Sequence, residues 1–300
     1  MRFDGPLMRK ILITGATGQV GKALAALSWP DNILLDMPAR QFLDLANPDL
    51  VHSHVSSADY SAIINCGAYT AVDRAEDEPL EAYRINGLAP AALAKAAAGL
   101  AIPMLHVSTD YVFDGKKTDP YLEDDPIGPI SVYGASKASG ELAVRCLSAN
   151  HVILRTSWVF SSVGTNFVKT MLRLSDRPQL RVVADQHGCP TAAQDIAGAL
   201  RDIVLRKLDR PQDAPTGTYH FSSDEATTWY DFALAIFAMA KEAGLAVPSV
   251  EAIETKDYPT AARRPANSVM STARLERDYG IRPGQWRRAL KDTFASLHQS

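Results

Sequence analysis

The stretch that decides the fold is Ile11-Leu-Ile-Thr-Gly15-Ala-Thr-Gly18-Gln-Val-Gly21. It begins as a run of apolar and β-branched residues typical of a buried strand, and it ends in three glycines at every third position. The run from Val20 to Leu27 then has the pattern of a helix. Gly15 permits a tight turn, Gly18 lets backbone N–H groups approach a pyrophosphate, and Gly21 allows close packing of helix on strand. Because the helix N-terminus adds partial positive charge, this unit predicts a dinucleotide-binding loop.

Outward from this loop, apolar strand-like runs alternate with longer helical ones. Strands are predicted at 32–36, 61–65, 103–108, 151–155, 181–184 and 218–221, and helices at 90–100, 131–148, 193–205, 230–243 and 285–297. Alternation at this spacing predicts βαβ units and therefore an α/β fold, a Rossmann-type doubly wound parallel sheet with a smaller C-terminal substrate-binding lobe. We place the dinucleotide-binding domain at 8–157, with sheet contributions from about 180–222, and the mainly substrate-binding lobe at 158–300.

Composition limits the class of protein. The 300 residues include 31 basic and 34 acidic side chains, which give a formal net charge of -3, and 46% are hydrophobic. This balance excludes a disordered tail protein and offers no electrostatic reason to expect nucleic-acid binding. The longest apolar run, Ala91 to Ile102, contains Lys95 and is too short to span a bilayer. We therefore expect neither a nucleic-acid nor a membrane partner.

Cysteine usage indicates the compartment. Cys66, Cys146 and Cys189 are odd in number and far apart, without a C-x-x-C pair. This argues against a disulfide framework and against a structural zinc site, so we expect a cytoplasmic protein with no metal. Residues 1–7 lack the apolar core of a secretory signal, and we interpret them as a short tail before Met8.

The residues after the second strand bear on the choice of cofactor. Asp36 ends that strand 21 residues after Gly15, where an acid holds an adenosine ribose hydroxyl. A carboxylate there repels a 2′-phosphate and favours NADH, whereas Arg40 is suited to binding that phosphate in NADPH. Both cofactors stay open. Asp44 and Leu45 follow in a polar turn, where they either contact the adenine side or begin a helix.

A second constellation is Tyr133-Gly-Ala-Ser-Lys137. Residues four apart share a helix face, so this spacing directs a phenol and an ammonium into one site. A free phenol titrates near ~10, and we expect Lys137, with a nicotinamide ring, to lower the pKa of Tyr133 so that it works as an acid–base group. Thr109 lies at a strand end 24 residues upstream, where its hydroxyl is suited to stabilising a developing alkoxide. These side chains indicate proton transfer beside a nicotinamide.

Together, the glycine loop, Ser108-Thr-Asp-Tyr-Val-Phe113 and Tyr133-Gly-Ala-Ser-Lys137 resemble the extended short-chain dehydrogenase/reductase family. Within it the chain resembles the dTDP-4-dehydrorhamnose reductases, with further motifs in family order at 65–76, 155–160, 166–172, 185–191 and 264–268. The resemblance covers nearly the whole chain from Met8. It implies transfer of hydride from NADPH or NADH to C4 of dTDP-4-dehydro-β-L-rhamnose, a nucleotide-sugar substrate, in dTDP-L-rhamnose synthesis.

The resemblance also implies roles for residues at matching positions. Tyr133 is expected to protonate the C4 oxygen of the sugar and Lys137 to hold the nicotinamide ribose. Thr109 is expected to stabilise the transition state. Thr109 and Asp110 would contact the sugar, and Trp158 would do so as well. The expected cofactor contacts are Gly18, Gln19 and Val20 at the pyrophosphate and Ala68, Tyr69 and Thr70 along the crevice.

Three further positions follow from the resemblance. Asn86 matches a helix asparagine that shapes the site in related reductases. Some bacterial members are dimers with magnesium held by interface glutamates, and Ala23 stands where one of these glutamates would lie. We therefore expect no magnesium site, and a monomer or weak dimer. Arg264, with its neighbour Arg263, is a candidate for binding the pyrophosphate of the substrate.

Two alternative functions stay open. The regulatory subunit of methionine adenosyltransferase has a similar sequence and keeps the fold, but it serves as a binding partner. The other alternative is a reductase of a different nucleotide-linked 4-keto sugar. An intact set of Thr109, Tyr133 and Lys137 favours catalysis over the first of these.

Overall fold

A computed structural model of the protein describes residues 7–298, so most of the predicted tail lies outside the described residues. The strands in this part of the chain are β1 (Arg9–Thr14), β2 (Ile33–Asp36), β3 (Ala62–Asn65), β4 (Met104–Thr109), β5 (His151–Thr156), β6 (Val159–Phe160), β7 (Gln179–Val183), β8 (His187–Gly188), β9 (Thr191–Ala192), β10 (Gly217–His220), β11 (Thr227–Thr228) and β12 (Ser249–Ile253). The predicted strands are present, with ends that differ by one or two residues.

The helices of the same part of the chain are α1 (Gln19–Ala26), α2 (Pro48–Ser56), α3 (Val72–Asp77), α4 (Pro79–Tyr83), α5 (Ala89–Gly99), α6 (Val132–Leu147), α7 (Phe167–Arg173), α8 (Ala193–Asp209), α9 (Trp229–Glu242), α10 (Ala273–Tyr279) and α11 (Trp286–His298). A π-helical turn, Arg84–Leu88, joins α4 to α5. None of the helices described is long and apolar enough to cross a membrane.

Six parallel strands make the central sheet, in the order β10-β5-β4-β3-β1-β2. The chain moves outward from β1 to β2 and then returns to the other side of β1 to form β3, so the strand order reverses between β1 and β3. In such a sheet the crossover connections diverge at this point and leave a crevice at the carboxyl ends of the strands. The predicted Rossmann-type doubly wound parallel sheet is confirmed.

The interior strands are apolar because helices cover both faces of the sheet. Ile13, on one face, packs in a cluster with α1 and α8, and Leu12, on the other, packs with α2 and α5. Both side chains are fully buried, and each contributes about 2 kcal/mol through the area removed from water. This two-sided burial explains why the strands of the first half read as continuous apolar runs.

The second half returns to the sheet only in part. Helix α8 packs on α1 and strand β10 extends the sheet beside β5, as we expected of residues 180–222. Strand β7, however, pairs with β12 in a separate two-stranded sheet, so the prediction that the central sheet draws on residues from about 180 is wrong for this strand. Gln179 and Arg181 of β7 are exposed, which fits an outer strand and not one covered on both faces.

Candidate active site

A groove of about 650 Å³ opens at the carboxyl end of the central sheet. Its walls come from the segments that directly follow β1, β3, β4 and β5, joined by residues 38–45 after β2. This is the crevice that the reversal of strand order produces. Most of the predicted site residues line it: Gly15, Gly18, Gln19, Val20, Asp44, Leu45, Ala68, Thr70, Thr109, Asp110, Tyr133, Lys137 and Trp158.

The glycine loop at one end of the groove has no room for side chains. Gly15 has a φ of +74°, and a Cβ on it would lie 2.5 Å from the backbone nitrogen of Gly67. A Cβ on Gly21 would lie 2.3 Å from the carbonyl oxygen of Gly15. Gly18 precedes α1, with its N–H bonded to Gly15 O at 3.0 Å. The loop thus exposes backbone at the start of a helix, which suits an anionic pyrophosphate.

Two predicted cofactor contacts lie outside the groove lining. Gly21 is buried behind the loop, where it serves packing of α1 on the strand and does not reach the groove surface. Tyr69 turns its hydroxyl away to donate to Glu78 at 2.7 Å, while the Arg74 guanidinium stands over its ring. Neither residue reaches the surface of the groove, and direct contact of Gly21 and Tyr69 with the cofactor stays a prediction.

Asp36 is a third predicted cofactor contact that lies outside the groove lining. Its carboxylate pairs with Lys10 at 2.7 Å and accepts a hydrogen bond from the Tyr60 hydroxyl at 2.7 Å, and it does not line the groove. Burial raises its pKa, but the bonds from Lys10 and Tyr60 outweigh this and hold it below its usual range, so the carboxylate stays charged and tied to them. Arg40 lines the groove instead, with weak contacts to Asp44 at 3.4 Å and to a more distant glutamate.

The predicted catalytic side chains meet at the end of β4. Tyr133 lies in the first turn of α6, whose N-cap Ser131 accepts a hydrogen bond from Gly134 N. The Tyr133 ring packs edge-to-face on Tyr111, with centroids 5.5 Å apart. Burial raises the pKa of Tyr133 to about 12, and the nearby Thr109 hydroxyl offsets this only in part. The phenol therefore keeps its proton at neutral pH.

Lys137 is buried one turn further along α6. Its Nζ donates to the carbonyl oxygen of Val107 at 2.7 Å and lies 3.5 Å from His106 Nε2. Burial lowers the pKa of Lys137 to about 8. In this arrangement burial dominates the pKa of Tyr133, and Lys137 Nζ is directed towards a backbone carbonyl. The lowering of that pKa by Lys137 together with a nicotinamide ring stays a prediction.

Thr109 and Asp110 form a coupled pair beside Tyr133. The Thr109 hydroxyl donates to Asp110 Oδ1 at 2.8 Å and accepts from Tyr111 N at 3.2 Å. Asp110 is only 2% exposed, and burial raises its pKa to about 6 despite the hydrogen bond from Thr109. The groove thus brings the neutral phenol of α6 beside a hydroxyl and a carboxylate at the end of β4.

Trp158 lines the groove, and its backbone is strained. Its indole is supported by other aromatic side chains, which the sequence analysis did not predict. Its φ is +46°, and its indole stacks on that of Trp229, with centroids 3.5 Å apart and planes 8° from parallel. Phe167 packs on the ring of Trp229, with centroids 4.6 Å apart. Gly188 lies against the indole, since a Cβ there would be 2.4 Å from Trp158 Cε2. Aromatic residues at the starts of α7 and α9 were the signal that sequence reasoning missed.

Asn86 lies in the π-helical turn between α4 and α5, fully buried. Its Oδ1 accepts from Tyr69 N at 2.8 Å, and its Nδ2 donates to Tyr69 O at 3.0 Å and to Ser136 Oγ at 2.9 Å. It therefore ties the segment after β3 to the helix that carries Tyr133 and Lys137. Such turns within helices are frequent at functional sites.

Gln19 and Arg264 make hydrogen bonds that join the two halves of the molecule. Gln19 Oε1 accepts from the Ser161 hydroxyl at 2.8 Å and from Asn166 Nδ2 at 2.9 Å. Arg264 Nη2 donates to Asp73 Oδ2 at 2.7 Å, and neither of these two residues lines the groove. Arg264, the candidate for the substrate pyrophosphate, is thus engaged in an ion pair between the lobe and α3.

Comparison with known proteins covers nearly the whole chain. A model of the RmlD substrate binding domain matches residues 8–299. The dTDP-4-dehydrorhamnose reductase of Aggregatibacter actinomycetemcomitans is 48% identical over 293 residues, which are 96% of this chain and 99% of that protein. The enzyme of the same name from Sinorhizobium fredii is 47% identical over 278 residues, 92% of this chain and 94% of that protein.

A solved structure agrees with these relatives. The crystal structure of dTDP-4-dehydrorhamnose reductase from Bacillus anthracis in complex with NADP superposes with a TM-score of 0.89 at 34% identity, covering 97% of this chain and 100% of that one. The resemblance predicted from the motifs is confirmed by sequence and structure alike. The chain belongs to the family of the dTDP-4-dehydrorhamnose reductases.

Proposed function

We propose that this protein reduces dTDP-4-dehydro-β-L-rhamnose to dTDP-L-rhamnose with NADPH. The observation that carries the proposal is the meeting of Thr109, Tyr133 and Lys137 at the end of β4, in a groove that also contains the glycine loop. Family membership supplies the substrate class, since the relatives are named for this reaction. An intact proton-donating group favours catalysis over the binding role of a regulatory subunit.

The groove fits a dinucleotide. The close approach of Gly15 to Gly67 leaves a cradle of backbone that any Cβ would fill, and the N-terminus of α1 points into it. Gly18, Gln19 and Val20 are placed for the pyrophosphate, with Ala68 and Thr70 along the wall. When bound, NADPH supplies the hydride that reduces the sugar carbonyl.

Tyr133 is our candidate for the proton donor. Burial raises its pKa to about 12, so the phenol is protonated at neutral pH and has an O–H for the C4 oxygen of the sugar. Lys137 and a bound nicotinamide ring would lower this pKa towards the working pH and make the phenol a better proton donor. The Thr109 hydroxyl turns its O–H from Asp110 to the same sugar oxygen as negative charge develops on that oxygen. Lys137 leaves the Val107 carbonyl to hold the nicotinamide ribose. Asp110 orients the sugar by accepting hydrogen bonds from the sugar hydroxyls.

The cofactor preference that we propose is NADPH over NADH. Asp36 is held by Lys10 and Tyr60 and does not enter the groove, so its carboxylate does not oppose a 2′-phosphate there. Arg40 lines the same end of the groove with a mostly exposed guanidinium, which suits a phosphate. The Bacillus anthracis relative was solved with NADP.

The two halves of the chain bind different ligands in this proposal. We assign the dinucleotide to residues 8–157, with α8 and β10 completing their sheet, and the sugar nucleotide mainly to 158–300. Trp158 provides the aromatic wall for the sugar ring on the lobe side of the groove. We also propose a cytoplasmic enzyme that is a monomer or weak dimer; Ala23, in place of an interface glutamate, is packed in the apolar core. Sedimentation of the purified protein tests the oligomeric state.

Oxidation of NADPH and NADH in the presence of several dTDP-4-keto sugars tests the proposal. We expect NADPH oxidation with dTDP-4-dehydro-β-L-rhamnose, and dTDP-L-rhamnose as the product identified by NMR. Faster turnover of a different 4-keto sugar would mean that this sugar is the substrate, while the type of reaction that we propose would stand. Absence of oxidation with every sugar, from protein that binds NADPH, would contradict the proposal and favour the binding-subunit alternative.

A further inference from the structure

The helix that carries Tyr133 and Lys137 has a third polar side chain on the same face. Glu141 lies four residues after Lys137, as Lys137 lies four residues after Tyr133, so the three share one side of α6. Glu141 is fully buried, and no step of the proposed reduction uses it. A buried carboxylate is costly unless its charge is compensated, so its partners indicate what it does.

Strands β4 and β5 supply the partners of Glu141. The Ser108 hydroxyl of β4 donates to Oε1 at 2.6 Å. Arg155 of β5 donates through Nε to Oε1 at 2.8 Å and through Nη2 to Oε2 at 2.7 Å, and Arg145 of α6 adds a longer bond to Oε2 at 3.3 Å. Ser108 and Arg155 are opposite each other in the register of the two strands. Glu141 therefore holds α6 to both strands, one residue before each strand ends at the groove.

Arg155 is itself held in place from the side of the sheet. Its side chain is 1% exposed, and Nη1 donates to Glu123 O at 3.4 Å and lies 3.3 Å from His220 Nε2. The guanidinium also stands over the ring of Phe113, 5.0 Å from its centroid. Burial and the nearby Arg155 lower the pKa of His220 to about 3, so the imidazole is neutral. The two-bond contact with Glu141 thus has a fixed partner and a fixed direction.

Three elements bring titratable groups to Lys137. From β4, His106 Nε2 lies 3.5 Å from Nζ, and burial, together with the charge of Lys137, holds the pKa of that imidazole well below its usual range. After β3, burial raises the pKa of the Cys66 thiol to about 12. On α6, burial likewise raises the pKa of Tyr133 to about 12. These three groups are neutral at pH 7, and Glu141 is the neighbour that carries charge.

The charge of Glu141 acts against the burial of Lys137. Burial lowers the pKa of Lys137 to about 8, and the negative charge of Glu141 keeps it from falling further. Side chains four residues apart on a helix have Cβ atoms about 5–6 Å from each other, which is near enough for this effect. Lys137 therefore remains an ammonium at neutral pH, with N–H groups to donate to the hydroxyls of a ribose.

We propose that Glu141 is a positioning residue for Tyr133 and Lys137. Its bonds to β4 and β5 fix where α6 presents these two side chains, and its charge favours the ammonium of Lys137. Glu141 does not line the groove, so it acts through the two side chains that precede it on the helix. This inference rests on the proposed function, because that function gives Tyr133 and Lys137 their roles.

Glu141→Gln tests the charge, since the amide keeps the size of the side chain. NADPH affinity should fall as the pH rises through the pKa of Lys137, about 8 in the wild type, and this fall should be absent in Lys137→Met. We expect Glu141→Gln to move the midpoint of the fall downward by about one pH unit, because the ammonium loses its favourable charge. The matched control is Glu123→Gln, a buried carboxyl that accepts from His220 N of β10 and should leave the midpoint in place.

A second variant covers loss of folding in Glu141→Gln. Breaking a buried ion pair leaves an uncompensated charge, whereas replacing both partners by apolar side chains is often tolerated. Glu141→Met combined with Arg155→Met removes both charges. We expect the same downward shift of the midpoint in this double variant, because the charge that acts on Lys137 is that of Glu141.

Glu141→Asp tests the position separately from the charge. The aspartate keeps the negative charge but is one methylene shorter, so it cannot keep its bonds to Ser108 and Arg155 without moving α6. We expect kcat to fall roughly 10- to 100-fold, as misplaced reacting groups do, while the sugar KM and the midpoint of NADPH affinity hardly change. A purely structural role would lower the stability of the protein but would move neither kcat of the folded protein nor the midpoint.

Either of two results would overturn the proposal. One is a wild-type midpoint in Glu141→Gln, or in the double variant where the single one does not fold, which would mean that the carboxylate serves the fold alone. The other is a kcat of folded Glu141→Asp within twofold of the wild type. The midpoint is measured without a sugar, so its failure is distinct from failure of the proposed reduction.

Discussion

The two walls of the groove are built in different ways. On the cofactor side, the contacts come from short segments that each follow a strand of one parallel sheet, such as the glycine loop after β1 and residues 66–70 after β3. On the sugar side, Trp158 depends on Trp229, which is 71 residues further along the chain. The first wall follows from local sequence patterns, whereas the second depends on side chains that meet only in the folded protein.

Tyr133→Phe gives the largest expected effect, because it removes the proton donor that stands between the two walls. We expect kcat to fall by about 10²- to 10⁴-fold, the usual contribution of general acid catalysis. Affinity for NADPH should not change, since the glycine loop is untouched. Steady-state kinetics with NADPH titration by fluorescence measure both, and Tyr83→Phe on the exposed side of α4 is the matched control. Turnover within a few-fold of wild type would remove Tyr133 from this role.

Arg40→Ala tests the cofactor wall alone. A charge-assisted hydrogen bond to a phosphate is worth about 1.5–3 kcal/mol, so NADPH should bind roughly 10- to 100-fold more weakly. Binding of NADH, which has no 2′-phosphate, should hardly change, and the sugar KM should stay within a factor of two. An equal loss of affinity for NADPH and NADH would show that Arg40 does not bind the 2′-phosphate.

Trp229→Ala tests the sugar wall alone. An aromatic stack adds about 0.5–1.5 kcal/mol beyond its buried area, so loss of support for Trp158 should raise the sugar KM by roughly two- to tenfold. NADPH affinity should be unchanged. The control for loss of a tryptophan is Trp29→Phe. The indole of Trp29 donates a hydrogen bond to Leu24 O in α1. If NADPH affinity falls as much as sugar affinity, the two walls are not independent.

Asp110→Asn is expected to change the stability of the protein and its dependence on pH. The pKa of Asp110 is raised to about 6 in the folded protein from an ordinary value near 3.8. Its contribution to stability is therefore complete below about pH 4 and is lost as the pH rises through 6, by roughly 2–3 kcal/mol. Urea unfolding should find the variant more stable than wild type at pH 8 but not at pH 4. Equal stability at both pH values would contradict the burial of this charge.

The first half of the fold could be predicted because two-sided burial leaves a direct mark on the sequence. A strand such as Ala62–Asn65 is buried at every position, and glycines appear where backbones approach most closely. The short strands of the lobe carry no such mark. Strand β8 has two residues, and its pairing with β11 depends on chain nearly 40 residues away.

The predicted site side chains that lie outside the groove lining share one physical cause. Asp36 stands at the predicted strand end, but its side chain is directed by Lys10 and Tyr60, which no local pattern of Asp36 reveals. Tyr69 is turned away from the groove by Glu78 in the same manner. Spacing predicts where a residue stands in a fold, whereas the direction of a polar side chain depends on partners elsewhere in the chain.

Isotope transfer tests the central claim most directly. NADPH deuterated at nicotinamide C4, in each stereochemical form, is incubated with the protein and dTDP-4-dehydro-β-L-rhamnose, and the product is analysed by NMR and mass spectrometry. We expect one of the two forms to place deuterium on C4 of dTDP-L-rhamnose, and neither form to do so with Tyr133→Phe over the same time. An unlabelled product, or deuterium at another carbon of the sugar, would contradict the account.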